Sequence, residues 1–238
     1  MCHIGSALSI SDIMATVYSV ANIKSAQDPE RDIVVLSKGH AVMALYAALY
    51  LTKRLNGVDL NSFCQNATVV GGHPEHELPY VEFTTGSLGQ GLSFAAGCAL
   101  AAKISGSSKK IYAIISDGEC NEGSIWEAAA FASQYQLDNL IIFVDVNGKQ
   151  AMGDTFTIIK MDNLRKRWEE WGCAAFNADG HSVDDMVRLL NVPVTAAPKV
   201  LLCETHSGYG VPFMKDQLSW HYKQMNDEEY KNSLELLS

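Results

Sequence analysis

Three short polar segments contain the residue types that could bind a charged ligand. They are Gly39-His40, Asp117-Gly118 and Asp145-Val146-Asn147, and each follows or ends an apolar run. Asp117 offers a carboxylate and Asn147, 30 positions later, an amide oxygen. Mg²⁺ combines a few such protein oxygens with phosphate oxygens, so the pair could hold a metal-bridged diphosphate. Asp-Gly and Asn-Gly are also ordinary turn dipeptides, and spacing alone leaves both interpretations open.

A glycine-rich segment could bring backbone close to a ligand. Gly86-Ser87-Leu88-Gly89-Gln90-Gly91 precedes an Ala-rich helix predicted over 92–102. Its order is G-x-x-G-x-G, whereas dinucleotide-binding loops have G-x-G-x-x-G after a strand. A nicotinamide site is therefore disfavoured, and a backbone-rich loop against some flat ligand is the better interpretation.

Histidines supply the candidate proton-transfer groups. Of seven histidines, His40, His73 and His221 flank Gly, Pro or Trp in predicted loops, and His3 lies two residues before Gly5. In loops these four histidines would suit a polar, phosphate-bearing substrate. A zinc site around His73 and His76 is a weaker alternative, because Pro74 opposes the helix that such a motif needs. A lone histidine is also often only a structural group.

The elements that must position these residues alternate between strand and helix. An amphipathic helix is predicted over 10–21 behind Ser9 as a candidate N-cap. The pattern then predicts strands over 33–36, 111–115, 140–144, 173–177 and 200–204, and helices over 41–53, 123–135, 162–171 and 182–190. Such βα units predict an α/β fold with a mostly parallel central sheet and helices on both faces. In these sheets ligands bind beyond the carboxyl ends of the strands, where the three polar segments fall.

Composition excludes several classes of protein. The 238 residues are 47% hydrophobic and carry a net charge of −9, with no basic cluster, so a globular protein without a nucleic-acid partner is expected. No apolar run reaches the roughly 20 residues of a membrane helix, and no leader is recognisable, which favours the cytoplasm. The six scattered cysteines are expected to be reduced. Residues 1–238 are predicted to form one domain, with a surface helix or frayed end after Trp220.

Taken together, these segments resemble the N-terminal, diphosphate-binding domain of transketolases. These thiamine diphosphate enzymes move two-carbon ketol units between sugar phosphates. The resemblance covers nearly the whole chain, and its most specific stretch runs from Ser116-Asp117-Gly118 through Glu122-Gly123 to Asp145-Val146-Asn147. Further matching segments are His3-Ile4-Gly5-Ser6, Leu36-Ser37-Lys38-Gly39-His40, Gly72-His73-Pro74-Glu75, Thr85-Gly86-Ser87-Leu88-Gly89-Gln90-Gly91, Asp179-Gly180-His181 and Trp220-His221.

The resemblance implies a role for individual residues. It implies that Asp117, the Asn147 side chain and the Lys149 carbonyl hold Mg²⁺, with Ca²⁺ or Mn²⁺ as alternatives, and that Gly118 packs near the diphosphate. The implied cofactor contacts are Ser6, His40, Gly86, Ser87, Leu88, Asn147 and His221. His3, His73 and His221 are implied to face the sugar. Glu122 is implied to lie near the cofactor at an interface between subunits, although it could equally be a solvated helix-terminal carboxylate.

The resemblance also implies partners. A full transketolase has a pyrimidine-binding domain and a C-terminal domain, so we expect a homodimer or heterotetramer that is completed by a separate C-terminal subunit. Sugar phosphates are the expected substrates. Cys2, Ser116 and Ser207 depart from the family pattern. The alternatives are a non-catalytic transketolase-like partner, or a subunit of a deoxyxylulose phosphate synthase or of a 2-oxoacid decarboxylating enzyme.

Overall fold

Segments of four to seven residues, most of them rich in apolar side chains, form the strands of one central parallel sheet. The computed structural model describes residues 3–237. In chain order the strands are β1 (Ile33–Leu36), β2 (Ile111–Ser116), β3 (Leu140–Val146), β4 (Lys149–Gln150), β5 (Gly153–Asp154), β6 (Ala174–Asp179) and β7 (Lys199–Glu204). The sheet has the order β1-β2-β3-β7-β6, and all its pairings are parallel, whereas β4 and β5 form a separate antiparallel pair. This confirms the predicted mostly parallel sheet.

Helices cover both faces of this sheet, as predicted. They are α1 (Ile4–Ser9), α2 (Ser11–Val20), α3 (Val42–Leu51), α4 (Gly57–Asn61), α5 (Gln90–Ile104), α6 (Gly123–Gln134), α7 (Thr155–Ile158), α8 (Leu164–Glu170), α9 (Val183–Leu190) and α10 (Asp227–Leu237). Helices α2, α3 and α9 contribute to the core on one face, and α5, α6 and α8 to the core on the other. Successive strand residues point to opposite faces. In β2, Tyr112 and Ile114 therefore join the first core, and Ala113 and Ile115 the second.

The prediction for the first helix was wrong in one respect. The helix expected over 10–21 is α2, but a further helix that was not predicted, α1, precedes it, and the two are joined at Ile10, so the candidate cap Ser9 does not begin the predicted helix. Ser9 is the last residue of α1 and caps nothing, because its hydroxyl donates to Asp145 instead. A serine ahead of an apolar repeat is a typical N-cap pattern, but here a buried carboxylate from another element takes the hydroxyl.

The remaining boundaries agree with the predicted elements to within about two residues, which is the usual disagreement at helix and strand ends. The tail after Trp220 forms the mostly exposed α10, which confirms the predicted surface helix. Five cysteines are unpaired, as expected, and Cys2 lies outside the described residues. Within residues 3–237, no helix combines the length and apolar character of a membrane-spanning segment.

Candidate functional site

A cavity of about 530 Å³ lies at the carboxyl ends of β1, β2 and β3. We call it the strand-end cavity. Register explains its position, because Ser116 at the end of β2 pairs with Asp145 near the end of β3, which brings the segments after both strands together. Its lining includes most of the predicted site residues: His3, Ser6, His40, His73, Gly86, Leu88, Gly118, Glu122, Asn147, Lys149 and His221.

Two predicted residues lie outside this lining. Asp117 is only 1% exposed and sits behind the cavity wall between Ser116 and Gly118. Ser87 is exposed and does not line the strand-end cavity, although its neighbours Gly86 and Leu88 do. The chain therefore brings Asp117 to the site as a buried group and leaves Ser87 at its margin.

Three histidine rings form a contact group at one wall, which we call the inner histidine cluster. The ring centroid of His3 lies 5.1 Å from those of both His40 and His221, and the centroids of His40 and His221 are 5.7 Å apart. His40 Nε2 and the Ser6 hydroxyl are 3.1 Å apart. The side chain of Tyr222 packs edge-on against His3 and His221.

Burial makes the inner histidine cluster favour the neutral form of its rings. It lowers the pKa of His3, lowers that of His221 to about 4, and lowers that of His40 well below its ordinary value. The neighbouring histidines and the Lys38 ammonium act in the same direction, because they repel a further positive charge. At neutral pH each ring therefore has one donor and one acceptor nitrogen.

The glycine-rich loop packs closely against the segment that follows β1. Gly39 packs so tightly against Thr85 that a Cβ would lie 2.6 Å from the Thr85 hydroxyl, and a Cβ on Gly86 would lie 3.3 Å from the His73 ring. The buried carboxylate of Glu119 fixes the loop by accepting from the Gly89 amide at 2.9 Å and from the Ser37 hydroxyl at 2.5 Å. Burial raises the pKa of Glu119.

Asp117 and Asn147 lie together at the ends of β2 and β3. The Asp117 carboxylate accepts from the amides of Gly118 at 2.7 Å and Gly148 at 2.8 Å. Burial, together with the nearby Asp145 charge, raises the pKa of Asp117 to about 7. The Asn147 side-chain oxygen accepts from the Lys149 amide at 2.9 Å. The Asp117 carboxylate and the Asn147 amide oxygen therefore accept from two successive backbone amides, those of Gly148 and Lys149.

Buried polar atoms without a protein partner indicate that the strand-end cavity suits a polar ligand. Three residues of its lining contain such atoms, namely Nδ1 of His3, Oδ1 of Asn121 and Nε2 of Gln150. A buried polar atom left without a hydrogen bond is unfavourable, so these atoms fit a ligand that supplies donors and acceptors. Asn121 and Gln150 were not predicted as site residues, although Asn121 lies within the most specific matching stretch and Gln150 directly follows Lys149.

A larger, more open cavity of about 1020 Å³ lies beyond the ends of β6 and β7, and we call it the outer cavity. His181 and His206, its two histidines, form the outer histidine pair. His181 Nδ1 lies 2.9 Å from Asp12 Oδ2, and His181 Nε2 accepts from the His206 amide at 2.9 Å. His206 Nδ1 lies 2.9 Å from Asp216. Since both ring nitrogens of His181 are engaged, the outer cavity is the weaker candidate for chemistry.

The zinc alternative has no support in the described part of the chain. His76 is exposed and contacts the Thr84 hydroxyl and Glu77. Nowhere within residues 3–237 do three or more His, Cys, Asp or Glu side chains gather as a metal-binding group. A site of one carboxylate, one amide oxygen and one backbone carbonyl is a different kind of site, suited to a hard cation.

Comparison with known proteins decides the family. Residues 1–237 match the family model described as transketolase, thiamine diphosphate binding domain. The chain belongs to the transketolase family. An apulose-4-phosphate transketolase subunit from Actinobacillus succinogenes is 39% identical over 99% of this chain and 87% of that protein. The 6-deoxy-6-sulfo-D-fructose transketolase subunit SqwG of a Clostridium species is 38% identical over 96% of this chain and 86% of that protein.

Full-length transketolases are similar over only part of their length. The crystal structure of transketolase from Campylobacter jejuni superposes with a TM-score of 0.89 at 27% identity, covering 99% of this chain and 41% of that one. The chain thus spans about two fifths of that solved transketolase. The chain therefore has the fold of a transketolase thiamine diphosphate-binding domain.

The residues present fit the cofactor that a transketolase domain requires. Gly118 has no side chain between its backbone and the cavity, and a Cβ there would lie 3.1 Å from Cγ of Gln150, which also lines the cavity. Asp117 and Asn147 supply the hard oxygen donors that a divalent cation and diphosphate need. The unpartnered atoms of His3, Asn121 and Gln150 provide further polar contacts. Asp117, Asn147 and Lys149 could therefore hold the metal, and the rest of the lining the cofactor.

Proposed function

We propose that this chain is the diphosphate- and Mg²⁺-binding subunit of a split transketolase, which moves two-carbon ketol units between sugar phosphates. The observation that carries the proposal is the strand-end cavity, which Asn147 and the inner histidine cluster line and behind whose wall Asp117 is buried. Two relatives of similar length that are named as transketolase subunits support the division into separate polypeptides.

Different residues of the cavity would bind different parts of the cofactor. Asp117, the Asn147 side chain and the Lys149 carbonyl would hold Mg²⁺, with Gly118 beside the diphosphate. Ser6, His40, His221 and the Gly86-Ser87-Leu88 segment would contact the rest of the cofactor, with Ser87 at the margin. When bound, the thiazolium of thiamine diphosphate stabilises a carbanion, and the protein supplies orientation and proton transfer.

Proton transfer on the sugar falls to His3, His73 and His221. The lowered pKa values of His3 and His221 mean that these rings are neutral at pH 7, so each can accept a proton at one nitrogen and donate from the other. They would therefore hold or move protons at the hydroxyl groups of the sugar. His73 packs against Gly86 and lines the same cavity, which adds a further imidazole to those of the inner histidine cluster.

A separate C-terminal subunit would complete the site. It would supply the pyrimidine-binding and C-terminal domains, and a homodimer or heterotetramer is the proposed assembly. Glu122 is exposed at the rim of the strand-end cavity, and its side chain makes no capping hydrogen bond at the start of α6. That position leaves its carboxylate available to the partner subunit.

Calorimetric titration of thiamine diphosphate with Mg²⁺ tests the proposal, using this chain alone and then mixed with the partner polypeptide. We expect tight binding only in the mixture, together with ketol transfer from a sugar phosphate. Asp117→Asn should weaken binding by more than the roughly 100-fold that loss of an outer-shell partner causes. Asp216→Asn is the matched control, because Asp216 bonds His206 away from the strand-end cavity, and it should bind normally.

Three outcomes separate the alternatives. Absence of binding with a folded partner present would contradict the proposal and favour a non-catalytic transketolase-like protein. Binding without ketol transfer, but with turnover of a 2-oxoacid, would favour another thiamine diphosphate enzyme. Unchanged affinity in Asp117→Asn would remove the metal assignment alone.

A further inference from the structure

A buried carboxylate lies directly behind the proposed metal ligand Asn147. Asp145 has no exposed surface and belongs to the last part of β3. Its Oδ1 accepts from the hydroxyls of Ser9, at 2.7 Å, and Thr205. Its Oδ2 accepts from the Lys38 ammonium and from the side-chain nitrogen of Asn147, the latter at 2.9 Å. Four donors from four separate segments therefore converge on one side chain.

The hydrogen-bond pattern fixes which way the Asn147 amide faces. An ionised carboxylate can only accept hydrogen bonds, so the amide group facing Asp145 must be the NH₂ group. The same nitrogen lies 3.2 Å from the Ser9 hydroxyl. The Asn147 oxygen is consequently turned the other way, towards the amide of Lys149, a residue that lines the strand-end cavity. Rotating the Asn147 side-chain amide by half a turn would bring its oxygen against the Asp145 carboxylate, which repels it. The Lys149 backbone amide would then lose its acceptor.

Lys38 provides the charge that a carboxylate at this depth needs. The side chains of Lys38 and Asp145 are both fully buried and form an ion pair. Burying an unpaired charge is strongly unfavourable, so each member of the pair requires the other. Replacing both members of such a pair by apolar side chains is often tolerated, so we expect a variant that changes both residues to fold.

We infer that Asp145 is a positioning residue, which orients the Asn147 amide so that its oxygen, not its nitrogen, is available to a divalent cation. Lys38, Ser9 and Thr205 hold Asp145 in turn. Outer-shell partners of this kind typically change metal affinity by about 10- to 100-fold when removed. The inference rests on the proposed function in that the cation is the one that accompanies thiamine diphosphate.

Two double variants isolate the acceptor at position 145. Asp145→Leu with Lys38→Met removes both charges and the acceptor, whereas Asp145→Asn with Lys38→Met removes both charges and keeps a carbonyl that Asn147 can donate to. Both variants lack Lys38, so the loss of any contact between Lys38 and the cofactor affects both equally and does not contribute to the difference between them. Mg²⁺-dependent binding of thiamine diphosphate to the assembled complex should be about 10- to 100-fold weaker in the first variant than in the second.

A second readout needs no ligand. The Lys149 amide donates to the Asn147 oxygen, so its hydrogen exchange reports the orientation of the Asn147 amide. Exchange should be faster in Asp145→Leu with Lys38→Met than in the matched variant. Equal affinity and equal exchange in the two would overturn the inference. If the wild-type complex binds no thiamine diphosphate, the proposed function fails, while the exchange comparison still tests the role of Asp145.

Thr205→Val keeps the inference testable if the leucine substitution prevents folding. It removes one donor to Asp145 and preserves shape, and Thr205 lines the outer cavity, not the strand-end cavity. We expect faster Lys149 exchange and weaker Mg²⁺-dependent binding than in the wild type. Wild-type values for both would contradict the inference.

Discussion

The inner histidine cluster and the outer histidine pair lie at the carboxyl edge of the same sheet, but their rings have different partners. His3, His40 and His221 contact one another, Ser6 and Tyr222. His181 and His206 each contact an aspartate, and the His181 ring also stacks on Tyr209 with centroids 3.5 Å apart. The first arrangement leaves ring nitrogens for a ligand, and the second uses them to hold segments of the chain together.

This difference shows what a neighbouring carboxylate changes for an imidazole ring. A buried imidazole with no carboxylate beside it favours its neutral form, as the lowered pKa values of the inner histidine cluster indicate. An imidazole bonded to a carboxylate is oriented by it and its tautomer is fixed. The outer cavity is the larger of the two. The strand-end cavity is the better candidate for a ligand site, because its lining contains buried polar atoms that have no partner within residues 3–237.

The largest expected effect is on catalysis, and it should separate the two groups of histidines. His221→Gln removes an imidazole that can exchange protons with the sugar, so kcat for ketol transfer should fall by about 100-fold or more. His206→Gln changes an imidazole of the outer histidine pair and should leave kcat within about twofold. Steady-state rates of the assembled complex measure both. Equal losses in the two variants would erase the functional distinction.

Much of the site could be predicted because its residues follow buried strands. The apolar runs of β2 and β3 are recognisable in the sequence as buried strands. Their parallel register then brings Asp117 near Asn147. The sequence also singled out four histidines, namely His3, His40, His73 and His221. The bonds that occupy the outer histidine pair could not be predicted, because the partners of His181 are distant in sequence. Asp12 and His181 are 169 positions apart.

The buried polar residues behind the site were missed for a related reason. Lys38 stands inside a predicted motif and Ser9 at an apparent helix start, so each had a local explanation. Their actual partner, Asp145, lies on a strand whose apolar pattern predicts only burial. Hydrogen bonds between separate elements leave no periodic signal in the sequence, whereas packing on strand faces does.

A smaller effect should appear in folding stability, and here the outer histidine pair should be the more sensitive group. His181→Phe retains an aromatic ring against Tyr209 but removes the bonds to Asp12 and to the His206 amide. The free energy of unfolding should fall by about 1–3 kcal/mol, because a polar group loses its partner in a protected position. His221→Phe, measured by the same urea titration, should lower it by less. The reverse order would show that the inner histidine cluster is the structural one.

The smallest effect is on the pH dependence of stability. His221 has a pKa of about 4 in the folded protein and an ordinary value near 6.5 when unfolded, because burial and the neighbouring His3 and Lys38 disfavour its charged form. Between these values the unfolded chain binds more protons, so His221 makes stability rise with pH from about 4 to 6.5 and contributes fully above that range.

Subtraction isolates this contribution from that of Asp117, whose raised pKa acts with the opposite sign as the pH increases towards 7. The free energy of unfolding of the wild type minus that of His221→Gln should increase across the interval from pH 4 to 6.5. Its slope should stay below the roughly 1.4 kcal/mol per pH unit that one fully coupled proton gives. His3 and His40 remain in both proteins, so their protonation largely cancels. A difference that is flat with pH would mean that the His221 ring is solvated in the folded chain, and the neutral inner histidine cluster would lose its physical basis.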